Sequence, residues 1–598
     1  MRYKIFILIA VLSAAVYANS IPNGFVYDDD IYVVENPHIR DIKNIPSSFV
    51  HPEYLTSLGH KSHYRPLVMI SYTINYWIGG LNPAVYRITN LLFHIGTAFL
   101  LFLTVEAILS RSGETRGLTS YRFIALASAL IFAVHPFNSE AVNYITARSS
   151  LMSGFFYLTG LYCWVRYRGG EGEGRSKKLE VRSKTKSNIL PLVSYFYLGS
   201  LLVFLLGVLS KEVVVTLPLA LLLYDIYFKR VSLLRWRTCV PYLPFILLPV
   251  TALVVRSVYE GGGIIPFFRR DITTQIFTGM PVLTGYLKLL LLPTGLNIAH
   301  DVEIYNTPFT FSVITSAIVL FFYVITAVYL NRRKEGGWRL LAFFMIWYFV
   351  TLLIVIIIPL NRIMQENRCY ISGAVFAMFL GVVIGEMVYS RQRYKFAYGI
   401  LAVLMIIYGV GTAYRNTVWK NNVTLWTDAM KKSPYEPLVY NNLSVAYKNN
   451  GEYEKAKEVL FRGIRLSPNE WLYHYNLAVL FKISGEMDYA LLEYERAIML
   501  NPKALSAYVG KGSIYLQKED IGKGIAVFQE VIHRRPEHAL AHYYMAIAFH
   551  RLGRPEDAEE ELELALHYAG KTNDRKLINR VARYKNEGFI EQGIAPED

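Results

Sequence analysis

Residues 433–468 read SPYEPLVYNNLSVAYKNNGEYEKAKEVLFRGIRLSP, and the proline that closes this stretch recurs: Pro434, Pro468, Pro502 and Pro536 stand 34 residues apart. A fixed period of this size marks a stacked helical array in which each unit packs on its neighbours. Proline cannot continue a helix, so it ends each unit at the same place.

Between the prolines, small and aromatic residues recur at fixed offsets, in the tetratricopeptide pattern. The repeats run 437–468, 471–502 and 505–536, and a fourth, 539–570, lacks the final proline. The first carries Tyr440, Leu443, Tyr447, Gly451, Ala456 and Pro468. The second carries Leu477, Ala478, Phe481, Gly485, Ala490, Tyr494, Ala497 and Pro502. The third has Tyr508, Gly512, Tyr515, Phe528 and Pro536, with Gly524 where alanine is expected. The fourth has Met545, Ala546, Phe549, Gly553, Ala558, Leu562 and Ala565. A junction, 414–436, holds a lone helix, and 571–598 a capping helix (574–586) and a tail. Repeat arrays bind other proteins, and Tyr440, Tyr473, Tyr475, Tyr508, Tyr543 and Tyr544 are candidates for a peptide surface. Internal packing is the favoured reading of these rings.

Upstream, residues 1–413 form a multi-spanning membrane domain. Of the 598 residues 53% are hydrophobic, and mean hydropathy is +0.28, which exceeds a soluble average. Apolar spans are predicted near 4–20, 85–109, 121–136, 150–165, 189–209, 212–228, 239–256, 308–330, 340–360, 369–390 and 396–413. About 20 apolar residues cross a bilayer. The fold class is therefore all-α: a polytopic bundle of about 11 spans followed by a C-terminal superhelix of repeats.

The net charge of +16 is carried by alternate connections, which hold 24 cations against five acids. One of them, the Gly-, Lys- and Ser-rich stretch 166–188, reads as a disordered cytoplasmic loop. Cytoplasmic loops are enriched in Lys and Arg, so the N-terminus is expected inside and the repeats outside. The charge then reports topology and calls for no nucleic acid. The first span also fits a signal peptide; cleaved or not, the remaining topology is unchanged. The three cysteines lie in apolar segments, without disulfide or zinc spacing. Two further stretches, 66–77 and 274–292, read as interfacial helices.

Chemistry is sought on the outer face. Asp28-Asp29-Asp30 follow the first span directly. Three adjacent carboxylates repel each other, so a folded site must supply cations, metal or water. The same face carries His63 and Arg65, Glu140 with Arg148, Lys211-Glu212, and Glu366 with Arg368; His94 lies about 14 Å into the second span. Cations gathered beside acids suit an anionic lipid headgroup.

The stretches 24–30 with Asn36-Pro37, His63-Tyr64-Arg65-Pro66-Leu67, Tyr86-Arg87-Ile88-Thr89-Asn90-Leu91-Leu92-Phe93-His94, His135-Pro136 with Glu140 and Arg148, Ser210-Lys211-Glu212, and Glu366-Asn367-Arg368-Cys369-Tyr370 resemble the transmembrane and tetratricopeptide-repeat-containing O-mannosyltransferases. These look like members of the GT-C glycosyltransferase superfamily. The similarity covers nearly the whole chain, and the short array and compact membrane part look bacterial.

The resemblance implies transfer of a mannose-like sugar, with inversion, from a polyprenyl-phosphate donor to a hydroxyl, such as protein Ser or Thr or a glycan. Asp28 or Asp29 is the expected base. Arg65, Arg148, Lys211 and Arg368 are the expected phosphate-binding cations. Asp30, His63, His94, Glu140, Glu212 and Glu366 are expected to support them. No cofactor beyond the lipid-linked donor is called for; a divalent metal stays open but is not favoured. Expected partners are the donor lipid, the surrounding membrane lipids, the acceptor and a protein held by the repeats. The expected location is a bacterial inner membrane with periplasmic repeats, or an endoplasmic-reticulum membrane with lumenal repeats in a eukaryote. The competing reading is a membrane-anchored scaffold without catalysis.

Overall fold

The computed structural model describes residues 2–57, 64–112, 118–176, 189–229, 239–250, 270–333, 337–357, 362–388, 394–572 and 574–586. His63, residues 177–188 of the basic loop, 251–256 of the seventh predicted span, 257–269 and the tail from 587 lie outside them. The chain forms two compact units, Met1–Leu55 with Lys61–Asn421, and Asn422–Asp598 with Thr56–His60. Among the described residues every regular element is helical.

In the first unit five described helices are long and apolar enough to cross a membrane: Arg2–Ser20, Pro83–Ser110, Phe311–Arg332, Glu366–Val388 and Tyr394–Val418. A sixth is the pair Tyr121–Val134 and Pro136–Asn143, bent by 51°. The protein is thus an integral membrane protein. The bend falls at His135-Pro136, where proline disfavours helix at the residue before it. Helices Ile189–Val208 and Trp338–Ile357, each of 20 residues, coincide with two further predicted spans. Segment 212–228 divides into a turn Glu212–Thr216, a helix Leu217–Tyr224 and a wide turn Asp225–Lys229. Helix Arg148–Ser176 runs past its expected end at 165, because Arg168 reaches the buried Asp225 carboxylate at 3.0 Å.

Helices Phe311–Arg332 and Tyr394–Val418 leave Phe321, Phe322, Ile406 and Val410 exposed, as lipid-facing surface requires. Helices Pro83–Ser112, Leu118–Val134, Arg148–Ser176 and Tyr370–Val388 form the core. Gly154, against the Tyr370 ring, and Gly381, against Ser128, let these helices approach closely. The stretches expected at the interface are helices Pro66–Gly79 and Ile272–Leu291. The second starts at Asp271, whose carboxylate accepts from Thr274 N at 3.1 Å.

The second unit follows the 34-residue period. A lone helix, Asn422–Lys432, precedes four pairs: Pro437–Asn449 with Tyr453–Leu466, Trp471–Ile483 with Met487–Leu500, Leu505–Gln517 with Ile521–Arg534, and Ala539–Arg551 with Pro555–Thr572. Arg575–Asn586 closes the array. Ala456, Ala490, Gly524 and Ala558, at equivalent positions, are all buried. At Gly524 a Cβ would press on Leu516, which explains the missing alanine.

Gly451, Gly485 and Gly553 end the first helices of their pairs with φ near +75° (77°, 79° and 71°), and Glu519 takes φ 63° at the same place in the third. Tyr440, Tyr473, Tyr543 and Tyr544 are buried packing residues. Tyr440 also donates to the Pro434 carbonyl at 2.8 Å, and the rings of His474 and His542 reach Pro468 O and Pro536 O at 3.2 and 2.8 Å. Each proline carbonyl, freed at a helix end, thus gains a partner.

Candidate active site

The acidic loop is anchored before any acid is placed. Gly24 N donates to Lys420 O at 3.0 Å, and Asn23 Nδ2 to Asn416 O at 2.9 Å. Asn416 Nδ2 donates to Val16 O at 2.9 Å and Asn19 Oδ1 at 2.8 Å, and its own Oδ1 accepts from Asn143 at 2.7 Å. Arg87, buried, donates to the carbonyls of Asn23 and Gly24. Beyond the acids, Asn36 is fully buried and donates to Tyr32 O, Tyr54 O and Leu55 O at 3.0–3.2 Å. Its Oδ1 caps the turn Pro37–Arg40 by accepting from His38 N at 3.0 Å.

Between these anchors Tyr27 takes φ 56°, a left-handed conformation that a bulky residue adopts only when its surroundings enforce it. Arg362 is one such constraint. Its guanidinium lies 4.8 Å from the Tyr27 ring centre and donates to the phenol oxygen.

The three acids then diverge. Asp29 is fully buried. Its Oδ2 accepts from Val26 N at 3.1 Å, and its Oδ1 from Thr146 N at 2.9 Å and Thr146 Oγ1 at 2.7 Å. Burial pushes its carboxyl up to about 6 despite these bonds and the Arg87 charge. Asp28 is only partly buried. Burial raises its carboxyl as well, opposed by Tyr144, Arg362 and Tyr27. Asp30 opens the turn Asp30–Val34, and its carbonyl accepts from Glu35 N at 2.7 Å. Among the described residues no three His, Cys, Asp or Glu side chains converge as a metal ion would need.

The expected cations also separate into two groups. Arg148 is fully buried. It donates to Asn90 Oδ1 at 2.8 Å, Ser71 Oγ at 3.1 Å and Tyr86 O at 2.9 Å, and stacks 4.7 Å from the Tyr72 ring centre. Its donors are directed into the protein, and it acts as a brace. His94 is likewise enclosed, with Nδ1 2.8 Å from Tyr370 OH and Nε2 3.0 Å from Ala133 O.

Arg65, Lys211 and Arg368 form the second group. Arg65 Nη2 meets the Glu212 carboxylate at 3.0 and 3.2 Å, on the rim of the unit. Lys211 Nζ donates to Ser150 Oγ at 2.6 Å and Asn367 Oδ1 at 3.3 Å. Burial, reinforced by the charges of Arg65 and Arg368, pushes its ammonium down to about 7. Arg368, partly exposed, donates to the Arg362 carbonyl.

Glu140 underlies this group. It accepts from Glu366 N at 3.1 Å and Asn367 Nδ2 at 2.6 Å. Glu366 in turn accepts from Asn297 N and, at 3.0 Å, from His300 Nε2. Tyr32 lies in the field of both Asp28 and Arg65, and Arg362 joins Tyr27 to Arg368, so acid and cations share one region.

Sequence reasoning missed Arg362, Tyr144 and Asn416. Arg362 had a signal, lying six residues before Arg368 in the same connection. Asn416 had none, since it falls in the junction just after the last predicted span.

Two family models described as tetratricopeptide repeat match residues 438–470 and 509–574. Protein O-mannosyl-transferase Tmtc3 of Drosophila melanogaster is 22% identical over 77% of this chain and 55% of its own length. TMTC3 of Mus musculus is 22% identical over 76% of this chain and 50% of its own. TMTC2 of Homo sapiens is 32% identical over 27% of this chain and 19% of its own. The chain spans about half the length of the first two relatives. Among solved structures, MamA is 22% identical with a TM-score of 0.23, covering 25% of this chain and 89% of that one.

Proposed function

We propose, from the premise that this chain belongs to the family of transmembrane and tetratricopeptide-repeat-containing O-mannosyltransferases, that it is a membrane glycosyltransferase. In this reading it moves a mannose-like sugar from a polyprenyl-phosphate donor to a protein hydroxyl outside the cytoplasm. The observation that carries the proposal is a partly exposed carboxylate, Asp28, in the field of Arg362, which stands over Tyr27 and whose carbonyl accepts from Arg368.

The chemistry follows from that arrangement. A hydroxyl is a poor nucleophile at neutral pH, and Asp28 takes its proton as the oxygen bonds to the anomeric carbon. Attack from the face opposite the phosphate inverts that carbon. The bond to phosphate breaks and its electron pair leaves with the lipid phosphate. Arg65, Lys211 and Arg368 neutralise the charge that gathers there, and fixed cations do so without reorganising at the moment of reaction. Asp29 orients the loop through Val26 and Thr146 and is a positioning residue. Glu212 and Glu140 hold Arg65 and Asn367 in place.

The test is transfer of labelled mannose from a synthetic polyprenyl-phosphate mannose to an acceptor protein by the full chain in proteoliposomes. Loss with Asp28→Asn at unchanged thermal stability supports the assignment, and a wild-type rate with that variant rejects it. A cysteine at Asn449 tests the orientation. It should react with an impermeant thiol reagent in intact spheroplasts, and protection until lysis would reverse the topology.

A further inference from the structure

The helices that converge on the acidic loop meet again at their other ends. From Arg87 to Glu106 the helix Pro83–Ser112 rises about 28 Å at 1.5 Å per residue, close to the ~30 Å thickness of a bilayer core. There the start of the first helix, the end of Pro83–Ser112, the start of Leu118–Val134 and the mid-part of Arg148–Ser176 line an open cavity of ≈ 130 Å³. Among the described residues Arg2, Arg122, Arg166 and one acid, Glu106, line it.

Glu106 is 5% exposed and pairs with Arg2 at 2.9 Å and Arg122 at 3.5 Å. One carboxylate thus faces three guanidinium groups. Arg166 Nε is buried without a hydrogen-bond acceptor, and its guanidinium lies 5.5 Å from the Phe196 ring centre. A surplus of positive charge in a cleft is stabilised by an added anion. Guanidinium groups favour the planar, two-pronged geometry that phosphate oxygens offer. The volume holds several water-sized groups and so has room for a phosphate group. Leu103 and the Tyr162 ring on the wall give apolar surface to a chain entering from the side.

We propose that this cavity binds the phosphate of an anionic glycerophospholipid from the leaflet opposite the acidic loop. The site is separate from the transfer site and does not depend on the reaction assigned there. Basic pockets between helices at a cytoplasmic surface hold lipid headgroups through the same attraction.

Native mass spectrometry of the full chain in detergent tests this with three probes: dioleoyl phosphatidylglycerol, dioleoyl phosphatidylcholine and inorganic phosphate. The wild type should retain the glycerol lipid and release the choline lipid. Arg122→Gln with Arg166→Gln should lower phosphatidylglycerol occupancy about tenfold. Glu106→Gln removes the internal competitor for the same cations and should raise occupancy, a gain that misfolding cannot imitate. Equal retention by wild type and the double variant, or loss with Glu106→Gln, overturns the site. Inorganic phosphate binding as tightly as phosphatidylglycerol overturns the lipid source and assigns the cavity to the free ion.

Discussion

In the repeats, Tyr440 reaches back 6 residues to the Pro434 carbonyl, and His474 reaches 19 residues to Glu493. In the membrane unit, Asn416 reaches 400 residues to Val16, and Arg362 reaches 335 to Tyr27. Both regions bury polar groups, and both give them partners, as an interior requires. They differ in where the partners come from. A repeat satisfies its polar groups from its own turns of chain or from the adjacent repeat, as Tyr473 does at Pro437 O and Lys482 at Ser513, so one unit's pattern predicts the next. The acidic loop is shaped by segments that no local pattern joins, so each of its residues takes a role from elsewhere in the fold.

The largest expected effect separates two neighbours that the sequence leaves equivalent. Asp28→Asn should lower transfer about 10²–10⁴-fold with the fold intact, the usual worth of a positioned base. Asp29→Asn should instead lower thermal stability, because its amide would present a donor to the donors at Val26 N and Thr146. Equal kinetic loss with unchanged stability in both would erase the distinction.

Next comes the brace. Arg148→Leu leaves Asn90 Oδ1 and Tyr86 O without their donor and should cost about 3–5 kcal/mol, read as loss of folded protein in detergent. A stable variant with weakened donor binding would move Arg148 back among the phosphate cations.

A smaller effect comes from pH. The Lys211 ammonium is charged below its value of about 7 and neutral above it, so donor affinity should fall as pH rises through 7. KM for the donor should increase by up to about tenfold between pH 6.5 and 8. In Lys211→Gln it should be high and flat across this range. The same slope in both proteins would place the titrating group elsewhere.

The smallest prediction belongs to the repeats. Glu519 is exposed and holds the left-handed position that glycine fills in the other three repeats. Glu519→Gly should therefore stabilise the third repeat by about 0.5–1 kcal/mol, seen as slower amide exchange over 505–534. Gly485→Ala should do the opposite. No change in either would show that the period does not govern this turn.

The motif 86–94 shows how far legibility extends. Its polar residues stood out against an apolar helix, and Arg87, Asn90 and His94 are indeed enclosed and hydrogen-bonded. That Arg87 holds the loop while Asn90 and His94 bond other helices depends on Asn23, Arg148 and Tyr370, which lie elsewhere in the chain. Segment 212–228 marks another limit. Its apolar run reads as one span, yet Pro218 and the buried Asp225 break it into three pieces.

The amino-acid order alone determined the helical repeats, the apolar membrane part, the location of the acidic cluster and the family it resembles. These rest on periodicity and hydrophobicity, which act between residues close along the chain. Tertiary structure alone decided that Asp28 keeps exposure while Asp29 is enclosed, that Arg148 faces inward while Arg65 reaches the rim, and that Arg362 stands over Tyr27. A charged side chain's role is set by the solvent and partners around it, and here those arrive from helices separated by hundreds of residues.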